Sequence, residues 1–66
     1  MMSEDREWFE GTSKTSFADA ARDAVERAEE AFRERGEELP TEYDVRLRVT
    51  AEGVISDYKA LVSPGG

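Results

Sequence analysis

The sequence predicts an α+β fold: one β-α-β-β unit, a three-stranded antiparallel sheet packed on a single helix. Three observations predict it. One stretch has helical spacing of apolar residues between a Ser and a Gly, residues 17–35. A second, residues 43–50, alternates strictly between apolar and polar side chains. Glu52-Gly53 then reads as a turn signal into a last strand.

The first strand is expected at Arg6-Glu7-Trp8-Phe9-Glu10, with two adjacent aromatics before Gly11. Residues 1–5 are polar and expected to fray. Residues 11–15 read as a loop, and Ser16 as the helix N-cap with Asp19 three residues on. The helical stripe runs Phe17, Ala20, Ala21, Ala24, Val25, Ala28, Ala31, Phe32, with Gly36 closing the helix. Five alanines in that stripe let the backbone lie close to a support, but so thin an apolar face needs a sheet beneath it.

Pro40 bars continuation of the helix. Tyr43, Val45, Leu47 and Val49 then alternate with Asp44, Arg46, Arg48 and Thr50. A two-residue turn at Glu52-Gly53 would set Val49 opposite Ser56, Leu47 opposite Tyr58, Val45 opposite Ala60 and Tyr43 opposite Val62. It would also set Arg48 opposite Asp57 and Arg46 opposite Lys59. One sheet face is then apolar and takes the helix, with Tyr43 and Tyr58 in the core. The other carries Asp44, Arg46, Arg48, Asp57 and Lys59. The last strand is expected over 54–62.

Composition bounds the function. The 66 residues form one domain, residues 1–66, without cysteine or histidine. So small a core yields no more than about 3–5 kcal/mol by itself. Self-association is therefore the expected source of added stability. Sixteen acids against nine bases give a net charge of −7. That balance argues against nucleic acid and against anionic membranes as partners. The beginning of the chain lacks the pattern of a signal peptide, so a cytoplasmic protein is expected. With no histidine there is no obvious base for Thr12, Ser13 or Thr15, and an enzyme is not expected. Arg46, Arg48 and Lys59 together suit a phosphate or carboxylate. Glu29-Glu30 and Glu37-Glu38 lack the ligand spacing of a calcium loop and read as solvated.

Gly11-Thr12-Ser13-Lys14-Thr15-Ser16-Phe17 resembles the dodecin pattern of a short strand, a Gly-Thr-Ser turn and a Ser-capped helix. Ala20-Ala21-Arg22-Asp23-Ala24-Val25-Glu26-Arg27-Ala28 is similar to that family's alanine-rich helix, and Gly53-Val54-Ile55-Ser56-Asp57-Tyr58-Lys59 to its third strand. The resemblance spans roughly Trp8 to Val62. It implies a homododecamer, a hollow shell with helices outside and sheets facing the lumen. It also implies storage of a flavin (FMN, FAD or riboflavin), with Ca²⁺ in some members, and no catalysis. The departures fall on the polar face. Glu42 stands where flavin-binding members carry a stacking Trp, and Lys59 replaces a flavin-bonding Gln. Trp8 is then the candidate aromatic plane. The ligand-binding residues expected on this basis are Trp8, Glu42, Arg46, Arg48 and Lys59. Two readings follow: an oligomer that holds a flavin or other anionic cofactor, or an oligomeric structural or cation-binding protein without organic ligand.

Overall fold

The computed structural model describes residues 6–65; the expectation for residues 1–5 lies outside them. The chain runs β1 (Phe9–Ser13), α1 (Phe17–Glu34), β2 (Tyr43–Glu52) and β3 (Val54–Pro64). The three strands form one antiparallel sheet in the order β1-β3-β2, with the helix against one face. The expected α+β unit is present.

The first strand is shifted from its expected place. Gly11, Thr12 and Ser13 are strand rather than loop, and Arg6–Trp8 precede β1. The reason lies in Gly11, which pairs with Ala60 directly under the helix. A Cβ on Gly11 would overlap the Ala20 carbonyl oxygen and the Ala24 nitrogen and stand 2.8 Å from the Ala24 Cα. The glycine is there for close approach of two backbones. Ala20, Ala24 and Ala28, all fully buried, present the matching smooth side of α1.

Both helix ends are closed as expected. The Ser16 hydroxyl accepts from the Asp19 N–H at 3.1 Å, satisfying a first-turn donor. The Ser16 N–H donates to Ser13 Oγ at 3.3 Å, so Ser13 takes the reciprocal part expected of Asp19. At the other end Gly36 has φ +69°, the left-handed conformation that ends a helix at least cost on glycine.

The hairpin register differs from the expected one by two residues. Val45 lies opposite Val62, Leu47 opposite Ala60, Val49 opposite Tyr58, and Tyr43 opposite Pro64. One residue of the slip comes from the turn, where Glu52 pairs with Val54 around Gly53 at φ +90°. The other comes from a bulge that leaves Ser56 without an opposite residue. Two residues is an even shift, so every side chain keeps its expected face. Its opposite neighbour changes: Arg48 faces Lys59 instead of Asp57, Arg46 faces Leu61, and Thr50 faces Asp57. β3 accordingly runs on to Pro64.

The core is narrow. Ala24, Ala28, Phe32 and Val62 form it, with Phe9, Val25, Leu39 and Tyr43 packed around them. Phe9 meets Phe32 edge-on at 5.7 Å, and Phe17 meets Tyr58 edge-on at 5.0 Å. The helix lies over β1 and β3. It does not cover β2, contrary to the expected apolar face wholly under the helix. Val45, Leu47 and Val49 remain 46%, 55% and 39% exposed. One 18-residue helix in a single layer is too narrow for three strands.

Candidate functional site

The polar sheet face is built in rows by the observed register. Glu10, Leu61 and Arg46 share one row. Thr12, Lys59 and Arg48 share the next, and Asp57 and Thr50 the third. These residues share a face because each stands two positions from the last along its strand.

Glu10, Thr12, Arg48, Thr50, Asp57 and Lys59 line a hollow of about 320 Å³ on this face. Its electrostatics are uneven. Lys59 Nζ lies 3.1 Å from Glu10 Oε2, and Lys14 Nζ lies 3.3 Å from Asp57 Oδ1. Both carboxylates of the hollow are thus committed to lysines. Arg48 has no carboxylate within 4.0 Å among the described residues, although it stands directly across from Lys59. Like charges directly opposite each other destabilise a sheet unless something neutralises them. Thr12 and Thr50 add hydroxyl donors at the same rim.

Arg46 points its guanidinium at Trp8, 4.6 Å from the ring centroid. Arg6 sits 5.1 Å from the same centroid and also bonds Asp44 at 2.6 Å and the Pro64 carbonyl at 3.0 Å. Trp8 is therefore held at the end of the polar face by two cation–π contacts. Its ring is engaged within the chain rather than left as a bare platform. Flavin stacking of the dodecin kind needs an open aromatic plane. The residues present fit the anionic part of such a ligand better than its ring.

Of the five expected residues, Arg46, Arg48, Lys59 and Trp8 gather on or beside one face. Glu42 does not join the hollow. It precedes β2, its carbonyl accepts from the Gly65 N–H at 2.9 Å, and it lines a separate hollow with Glu38, Leu39, Pro40, Thr41 and Gly65. That hollow is the larger, about 450 Å³, but no cationic side chain lines it. Sequence reasoning missed Thr12, Thr50 and Glu10. The alternation Trp8, Glu10, Thr12 carries the signal, but Gly-Thr-Ser reads as a loop and so gives Thr12 no face.

Among the described residues, two groups titrate away from their ordinary values. Arg35 is held above its usual pKa, first by the hydrogen bond to Glu7 at 3.0 Å and then by Glu37 and the charge of Glu7. The Tyr43 phenol is pushed up by burial and secondarily by Glu29. Its hydroxyl has no hydrogen-bond partner among the described residues. Neither group lies in the polar hollow.

Among the described residues no three His, Cys, Asp or Glu side chains converge as a metal site, and no helix is long and apolar enough to cross a membrane. No family model, no curated protein and no solved structure matches the chain. The dodecin resemblance therefore rests on the sequence motifs alone.

Proposed function

We propose that this chain is a non-catalytic, homo-oligomeric binding protein of dodecin-like kind, holding a small anionic ligand on the polar face of its sheet. The observation that carries the reading is Arg48 opposite Lys59 inside a concave, hydroxyl-rimmed hollow. A phosphate or carboxylate there gives Arg48, which has no carboxylate within 4.0 Å among the described residues, a charge-assisted partner beside the Lys59–Glu10 pair. A hollow of about 320 Å³ is at the small end of ligand pockets, so it suits a compact anionic group. Among the described residues the cation-binding alternative has no comparable set of converging ligands.

The reading is tested by titrating the wild-type chain with FMN, riboflavin and inorganic phosphate. FMN is expected to bind at least about tenfold more tightly than riboflavin, because a charge-assisted bond contributes about 1.5–3 kcal/mol. Inorganic phosphate should compete, and Arg48→Gln should erase the preference. Equal affinity for FMN and riboflavin, unmoved by Arg48→Gln, would refute the anionic site.

A further inference from the structure

The uncovered side of β2 is the strongest unabsorbed feature of the molecule. Val45, Leu47 and Val49 stand at alternate positions on the helix side of the sheet, with no helix above them. The hairpin end continues the exposure through Val54 at 73% and Ile55 at 52%. These five side chains are together larger than the buried core, which consists of four alanines, Phe32 and Val62.

The strip has a wall as well as a floor. Asp23 accepts from the Thr12 N–H at 3.1 Å, which sets that side of α1 over β1. Ala20 and Ala24 face down onto Gly11. Ala21 and Val25 follow those alanines by one residue, about 100° around the helix, and so lie on the opposite side from Asp23, toward β2. The result is a trough with β2 as its floor and the flank of α1 as its wall.

Size points the same way. The radius of gyration is 13.1 Å, whereas a compact chain of this length has about 11 Å. The accessible surface is 4802 Å², against about 4200 Å² for a compact monomer of this mass.

We infer that a second copy of this chain covers the strip, the two β2 faces packing against each other about a two-fold axis near Leu47. This rests on the homo-oligomeric part of the proposed function and names its contact. The exposed positions Asp19, Arg22, Glu26, Arg27, Glu30, Arg33 and Glu34 make the outward side of α1 charged. That side therefore offers nothing apolar to fill a partner's trough. The strip is complementary to itself, as a two-fold contact requires. Sheets stacked face to face lie about 10 Å apart, which brings the partner's β2 to the level of α1 and beside its wall. Such packing leaves Arg46 and Arg48 on the outward side of the strand, so the polar face stays open to ligand.

The test compares native masses at micromolar concentration, with helix content followed by circular dichroism. Wild type is expected as a multimer. Leu47→Glu should reduce the mass at least to half while keeping the helix, and Arg22→Glu on the outer helix should leave it unchanged. A folded wild-type monomer would overturn this contact together with the oligomeric reading. A wild-type multimer that Leu47→Glu does not disturb would overturn this contact alone. Should Leu47→Glu fail to fold, Leu47→Cys decides, because the chain has no other cysteine. A short bismaleimide should join that variant into covalent dimers, and failure to do so would overturn the contact.

Discussion

The two edge strands of this sheet lie one strand apart and live in different environments. β1 is five residues long, sits under the helix, and carries a glycine because the helix backbone touches it. β2 is twice as long, reaches past the helix, and carries Val45, Leu47 and Val49 into the open. Both edges follow the same period of two. What differs is the presence of a cover. A side chain's pattern assigns it a face, but only a second layer turns that face into core.

Substitutions can break that contrast. The largest effect is expected at Gly11→Ala, because the added methyl meets helix backbone and no flexible side chain is there to give way. A loss of about 3 kcal/mol or more is expected in urea unfolding, at the high end of overpacking costs. A loss below about 1 kcal/mol would mean that the helix lifts away freely and the tight β1 contact is not a constraint.

Next comes a matched comparison of apolar truncations. Val62→Ala removes a fully buried side chain and should cost about 2 kcal/mol. Leu47→Ala should cost less than about 1 kcal/mol at nanomolar concentration, where association is suppressed, and clearly more at high micromolar concentration. Concentration-independent costs at Leu47 would show that its burial is internal to one chain.

Much of the fold was legible in particular residues. Ser16 and Gly36 bounded the helix because caps answer local backbone needs. The alternation over 43–50 placed each side chain on its correct face even though the register was two residues out. The bulge at Ser56 was not legible, since no glycine or proline marks it. Nor was the position of β1, because Gly-Thr-Ser reads as a turn until a helix is known to lie against the glycine. For the candidate site, Arg46, Arg48 and Lys59 were readable from parity alone. Glu42 was placed only by the resemblance, opposite a family Trp, and it stands just before β2, which begins at Tyr43, so the pleat does not hold it on the polar face.

A smaller effect is expected at Tyr43, at the boundary between covered and uncovered halves. Its phenol has a folded-state pKa above the ordinary value near 10. The protonated form is the one the fold favours. Its contribution is therefore complete below about pH 10 and is lost as pH rises through the folded-state value. Tyr43→Phe should flatten that alkaline decline. It should also raise stability at neutral pH by roughly 1 kcal/mol, since the hydroxyl is buried without a partner among the described residues. A destabilised Tyr43→Phe would reveal a bond that the hydroxyl makes in solution.

The smallest effect is electrostatic. A net charge of −7 opposes the association of copies, and salt screens it over about 8 Å at physiological ionic strength. Moderate NaCl should therefore raise the melting temperature by a few degrees. A steady fall would mean that exposed pairs such as Lys59–Glu10 and Arg6–Asp44 outweigh the repulsion.

On the proposed reading, a sheet half covered within one chain is completed by other copies of that chain. Sedimentation equilibrium of the wild-type protein across nanomolar to micromolar concentration tests it most directly. A closed multimer is expected at micromolar concentration, with tryptophan emission and helix content unchanged down to the concentration where it dissociates. A folded chain that sediments as a monomer across the whole range would contradict it.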